Sequence, residues 1–453
     1  MLSALVILTL VSPSQAKVRH YYIAAEDCTW DFAPSHWNLI EGSPIPMPWA
    51  RQTKWPKTRY VGYTDSTFTV KTPQPEWLGI LGPIIRAEVG DEVVVDFLNR
   101  SNISYSIHPH GLHYDKDNEG SYYVPAGRGS LVPPGGRFTY HWFADADSGP
   151  GPNQPSSIVW WYMPHTNEPM GTNAGLLGPI IVTAKGKANP DGSPKDVDKE
   201  FVASFMIFDQ MNTKPEGLYY TINGYIFGNL PGLIMKKGDR VRWYLLGMGN
   251  EIDLHSPHWH GETVLYGGKR TDVVELLPGS MATVDMVANN PGVWMFHYHV
   301  GEHMESGMMA TYTIYEPQKR PCPVQFGAGN FYDQSPEHSV TVKNTSGKPI
   351  KQLTLSFEHF LAPMYLHQPF NGTWAAPSPI PVGREETLTR KPYLGGAENS
   401  IYGWAIFPSA VVYQDGSRWT PQHEGECFRV YWRDKDHPQP PVLPPHQPEE
   451  PEE

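Results

Sequence analysis

Histidines at alternate positions dominate the chemistry this sequence can do. They pair as His108/His110, His258/His260 and His297/His299, and 11 of the 19 histidines fall between residues 108 and 303. Residues two apart in a β-strand point to the same face, so each pair can present two imidazoles to one metal ion or to adjacent ions. Imidazole suits Cu, Zn, Fe and Ni. A single pair of this kind reads equally well as a surface or core pair. Three pairs at matching places in a repeat do not, because buried polar groups without partners are costly. Further donors cluster close by: His255 precedes His258, and His303 and Met308 follow His299.

The elements that must position these side chains read as short strands. LGPIIRAEVGDEVVVDFLN is followed by His-Pro-His-Gly at 108–111, and LPGLIMKKGDRVRWYLL by His-Trp-His-Gly at 258–261. Each half then shows a Pro-Gly turn into an alternating strand (VPPGGRFTYHW at 132–142, LPGSMATVDM at 277–286), an aromatic strand carrying His (WWYMPH at 160–165, GVWMFHYH at 292–299) and a closing Gly-led run. Helical periodicity is nearly absent. The pattern predicts an all-β chain with two related Greek-key sandwiches and a C-terminal β-rich domain. The expected boundaries are a signal peptide at 1–16, domain one at 17–184, a polar linker at 185–200, domain two at 201–317, a third domain at 318–436 and a disordered Pro/Glu-rich tail at 437–453.

Bulk composition narrows the function classes. The 453 residues hold 35 Lys plus Arg against 47 Asp plus Glu, a net charge of −12, with no basic cluster to meet nucleic acid. The apolar run Leu2–Val11 ends in Ser14-Gln15-Ala16, a cleavage-site pattern, although no Lys or Arg precedes it. No later stretch reaches membrane-spanning length. Secretion, to a periplasm or the extracellular space, is the expectation. Sequons occur at Asn99, Asn102, Asn344 and Asn371. Of the three cysteines, Cys322 with Cys427 is the sensible pair, leaving Cys28 free, although spacing does not settle connectivity.

The segments His255–His260 and His297–Met308, with INGYIFGNLPG at 222–232, LGMGNEIDLH at 246–255, YYIAAEDCTWDFAP at 21–34 and HPHGLHY at 108–114, closely resemble multicopper oxidases of the ceruloplasmin and hephaestin type, which are built from cupredoxin domains. The resemblance spans about residues 20–315. It implies that His108 and His258 bind a type 2 copper. It implies that His110, His165, His260, His297 and His299 bind a type 3 pair, the cluster at which that family reduces O2 to water. Glu119 then stands where the family places an acidic proton donor, and His255, His303 and Met308 match type 1 copper ligands.

Two positions depart from the family pattern. Met163 replaces one histidine of a His-x-His; a thioether is a soft donor suited to Cu(I), and packing is the competing reading. Tyr298 stands where the type 1 site needs a Cys thiolate, so a blue centre is expected to be absent. Tyr298 then becomes a candidate electron relay. Three functions are in contention: a copper oxidoreductase with O2 as acceptor and a small reductant or metal ion as substrate; a copper-binding, storage or scaffold protein without turnover; and a metal-free interaction protein, against which the seven retained cluster histidines argue. In the resembled family the two ligand sets meet as a six-domain ring closes. Two such domains per chain imply a homotrimer with clusters between subunits, or else a cluster within one chain.

Overall fold

A computed structural model describes residues 16–210, 217–249, 253–299, 301–316, 322–329, 338–361, 368–372, 379–390, 401–421 and 427–432. The fold is all-β. In the first sandwich one sheet is ordered Lys54–Tyr63, Val18–Asp31, Glu92–Asn99, Arg137–Phe143; the other is Ile85–Glu88, Gly178–Thr183, Ser157–Met163, His108–Pro109. The second repeats this strand for strand. Its first sheet runs Leu218–Ile222, Lys199–Asp209, Arg240–Gly247, Ser280–Val287, extended by Val264–Tyr266 and Lys269–Thr271. Its second runs Ile234–Lys236, Met309–Tyr315, Gly292–Tyr298, Pro257–Trp259. In both, the long first strand lies parallel to the strand that precedes the histidines. This is the cupredoxin-like Greek-key arrangement.

Local sequence explains the strands. In Arg137–Phe143 the side chains of Tyr140 and Trp142 are buried while Arg137, Thr139, His141 and Phe143 face out, the two-residue alternation of a half-covered sheet. The turn before it needs Gly135 at φ 73°, whose N–H donates to the Asn99 carbonyl at 2.7 Å. The second sandwich repeats the device with Gly279 at φ 77° donating to Gly247 at 2.9 Å.

One apolar cluster is shared between the two sandwiches. Phe32, Leu81, Trp161 and Met163 from the first pack with Met206, Phe208, Tyr219, Tyr244 and Leu246 from the second. Backbone also approaches closely there: the Asn223 side chain donates to the Trp77 carbonyl at 2.6 Å, and a Cβ on Gly79 would lie 2.1 Å from the Asn223 oxygen. The polar stretch predicted as a linker is an ordered connection, with Ala188 bridged to Pro194 and Thr183 donating to Gly192 at 3.0 Å.

The C-terminal part has its own core around Val340, Leu353, Leu355 and Trp404. Three strands, Val324–Gly329, His338–Asn344 and Glu385–Arg390, form one sheet, all antiparallel. Gln368–Gly372, Ile350–Leu361, Ile401–Tyr413 and Arg418–Trp419, in that order, form the other, with Arg429–Trp432 also paired to Ile401–Tyr413. The antiparallel first strand separates it from the other two sandwiches. Cys322 and Cys427 are disulfide-bonded and Cys28 is free.

Burial separates the sequons. Asn99 and Asn344 are fully buried, and each side-chain amide donates twice to backbone carbonyls, so neither is accessible for a glycan. Asn102 is exposed. Residues 1–15, residues 317–321 of the expected interdomain break, and the tail from residue 437 lie outside the described residues.

Candidate metal centres

In the first sandwich His108 pairs across the sheet with Met163, which brings the His108 ring within 5.0 Å of His165 and 5.2 Å of His110, centroid to centroid. Pro109, between the two histidines, is buried on the opposite face. Gly111 has φ 71°, and a Cβ there would stand 2.1 Å from the Trp160 ring; Gly261 repeats this at φ 73° and 2.5 Å from Trp294. The His-x-His-Gly motif therefore needs its glycine so that the histidine turn can press on a tryptophan of the neighbouring strand.

Hydrogen bonds select which ring nitrogen faces outward. His108 donates from Nδ1 to the Glu119 carbonyl at 2.6 Å, which leaves Nε2 as the bare nitrogen. His165 Nδ1 meets Ser121 Oγ at 2.9 Å. His110 Nε2 is buried with no hydrogen-bond partner, and burial, with His108 and His165 adding to it, pushes the ring's pKa down to about 4. A neutral imidazole with an orphaned buried nitrogen is chemically able to bind a cation. Met163 is 2% exposed and lies in the shared apolar cluster.

The second set is tighter. His258 and His297 are cross-strand partners. His258 Nδ1 and His260 Nε2 lie 3.1 and 3.0 Å from His297 Nε2, and His297 donates from Nδ1 to the Tyr298 carbonyl at 2.7 Å. At these separations the three imidazoles are close enough to bind one ion or adjacent ions. Burial pushes His297 down to about 4 and lowers His258. The His299 ring is 4.7 Å from that of His258. Asp272, which the sequence did not flag, places Oδ2 3.7 Å from His258 Nε2. His258, His260 and the exposed Asp272 line an open depression of about 520 Å³. Among the described residues no ring contact or hydrogen bond joins this set to His108, His110 or His165, and the one group of three close donors is His258, His260 and His297.

Strand alternation sends Tyr298 to the face opposite His297 and His299. Its ring stacks on His303 at 4.6 Å and 27°, and stands edge-on to His255 at 5.5 Å and 85°. Met308 is fully buried and donates its backbone N–H to His303 at 3.0 Å. His255 Nε2 meets Asp253 Oδ1 at 3.1 Å with both side chains fully buried, while its Nδ1 has no partner. Asp253, two residues before His255 on the same face, was also missed from sequence. Burial raises the Tyr298 phenol above its ordinary range.

Two imidazole sets on twin cupredoxin-like sandwiches mark a copper-protein class, since Cu, bound by nitrogen donors, fits such a site. The comparisons agree. Family models described as "Multicopper oxidase" match residues 78–187 and 202–318. The chain belongs to the multicopper oxidase family, whose cofactor is copper. It is 36% identical over 337 residues to "Ferroxidase HEPHL1" of Homo sapiens, covering 65% of this chain and 29% of that protein. It is 34% identical over 346 residues to "Ceruloplasmin" of Homo sapiens, covering 68% and 32%. "Hephaestin" of Rattus norvegicus is 34% identical over 344 residues, covering 67% and 30%. The chain thus spans under a third of the length of these relatives. A solved structure titled "Crystal structure of multicopper oxidase" aligns at 23% identity and a TM-score of 0.48, covering 66% of this chain and 89% of that one.

Proposed function

We propose that this is an exported copper-dependent oxidoreductase with O2 as electron acceptor, whose cluster is completed between copies of the chain and which lacks a blue type 1 centre. The observation that carries the reading is the tautomer pattern. His108, His165 and His297 each have Nδ1 engaged by the protein, and His110 Nε2 is buried without a partner. Such anchoring orients imidazoles toward a metal. In this reading His108 and His258 take the type 2 copper; His110, His165, His260, His297 and His299 take the type 3 pair. Copper held there supplies cycling between Cu(I) and Cu(II), which passes electrons to O2.

The chain's own residues do the rest. Glu119 orients His108 through its carbonyl. Burial opposes ionisation of its carboxyl, but hydrogen bonds from Lys116 and Tyr123 hold it below the ordinary carboxylate range, with proton-bearing partners on both oxygens. It serves as a proton relay beside His108. Tyr298 occupies the position of the missing thiolate between His255 and His303 and carries electrons from a small reductant or metal ion toward His297 and His299. Two such domains per chain make the assembly a homotrimer in this reading, with set one of one chain meeting set two of the next. The disulfide supports export to an oxidising compartment, and no described helix is long and apolar enough to cross a membrane.

The Tyr298 ring filling the space among His255, His303 and Met308 favours a second reading, copper binding without turnover. Oxygen uptake by the copper-loaded chain with phenols or ferrous iron decides between them. Uptake that disappears in His297→Ala supports the oxidoreductase. Full copper loading with no uptake for any reductant leaves the binding protein.

A further inference from the structure

The first histidine set is one imidazole short, because position 163 holds a methionine that is turned into the apolar cluster. We infer that Glu168 supplies the missing donor, binding Cu(II) together with His165. The inference rests on the copper reading above. His165 has one ring nitrogen committed, since Nδ1 meets Ser121 Oγ at 2.9 Å, and its carbonyl is held by the Tyr122 N–H at 3.2 Å. The nitrogen left for a metal is Nε2, and Glu168 Oε2 stands 3.3 Å from it. That distance is long for a charge-assisted hydrogen bond, which runs at about 2.7–2.9 Å. It does match two donors about 2.0–2.1 Å from a common ion at a tetrahedral angle, which puts them about 3.3 Å apart.

The backbone holds the carboxylate on a short, braced span. Glu168 opens the helix Glu168–Ala174, in which its carbonyl accepts from Thr172 Oγ1 at 2.7 Å. Gly171 donates to Asn167 at 2.9 Å and fits against Pro164 so closely that a Cβ would lie 2.3 Å from that ring. His165 and Glu168 thus lie on either side of a clamped turn, both partly exposed at the open edge of the first set. The competing account is a plain surface ion pair three residues apart, and it predicts no effect of Glu168 on metal. A carboxylate oxygen is a harder donor than an imidazole or thioether, so the Glu168 site holds Cu(II) in preference to Cu(I).

The test is Cu(II) titration of the full chain against a competing chelator, with copper counted per chain and the bound Cu(II) recorded by electron paramagnetic resonance. Glu168→Ala and Glu168→Gln are expected to weaken one copper by about ten- to a hundredfold and to change its hyperfine pattern, without altering the thermal melt of the metal-free protein. Glu168→His should restore affinity with a nitrogen-rich spectrum. His165→Ala is the companion variant. If it weakens copper while Glu168→Ala leaves affinity and spectrum at wild-type values, the carboxylate is not a ligand and the copper reading stands. If neither variant changes copper binding, the copper reading of the first set fails and the inference with it.

Discussion

Replacing Tyr298 by Cys should turn a filled cavity into a copper site. The ring is 4% exposed and is held between His255 and His303. Tyr and Cys side chains differ by roughly 80 Å³, and at about 24 cal/mol per Å³ of unrelaxed cavity the exchange costs about 2 kcal/mol. For a unit of this size each kcal/mol moves Tm by about 2–4 °C, so the metal-free variant should melt about 4–8 °C lower. The cavity would be walled by His255, whose Nδ1 has no partner, by His303 and by the buried Met308. Copper at a thousandfold over its Kd adds about 4 kcal/mol to the folded state, more than the loss. The assay is paired melting with and without Cu(II), beside an absorption spectrum. The variant should regain at least the parent's Tm on adding copper and develop the intense blue band of a copper thiolate, which the parent lacks. A blue parent, or a Tyr298→Cys chain that neither loses stability alone nor gains any with copper, would refute the reasoning.

Other consequences are equally concrete. Gly111→Ala forces a Cβ into the Trp160 ring at positive φ; it should cost about 1–3 kcal/mol in urea unfolding and lower copper per chain, because it displaces His108 and His110. Burial pushes Lys57 down to about 7, with Nζ donating to the Asn173 carbonyl at 2.7 Å and lying 4.8 Å from the Phe208 ring centre. The unfolded amine keeps its proton to about pH 10.4, so the unfolded chain binds more protons above pH 7. Stability should therefore rise with pH from about 7 to about 10 and should lose that slope in Lys57→Met, as urea titrations at pH 7 and 9 would show. Cys322→Ser opens a link between residues 105 apart, which by loop entropy costs the C-terminal sandwich about 4–5 kcal/mol, read as a lower melting step with copper per chain unchanged. Expression in a glycosylating secretory host should add mass at Asn102 and none at the buried Asn99 or Asn344, as peptide mapping would show.

The repeat was legible because its signals are local. Alternation in Arg137–Phe143, the Gly135 and Gly279 turns and the His-x-His-Gly motifs each act within a few residues, and each appears in both sandwiches. Strand periodicity also placed Tyr298 on the face away from His297. Features that need distant chain were not readable. The shared apolar cluster draws on residues from Phe32 to Met309, and the antiparallel first strand of the C-terminal sandwich depends on pairing rather than composition. Asp272 and Glu168 are not legible as neighbours of His258 and His165: one lies across a sheet from His258, and the other follows a turn that no strand pattern predicts. The sequons show the same limit, since Asn99 and Asn102 look alike until burial divides them.

In the proposed assembly, imidazoles from two copies of the chain meet on shared copper. Sedimentation of the full chain with copper counted in each species tests it most directly. A three-chain species should carry the cluster copper, and His108→Ala and His258→Ala chains, each deficient alone, should recover part of it when mixed. Full copper loading of a species that sediments as a single chain would rule out a cluster shared between chains.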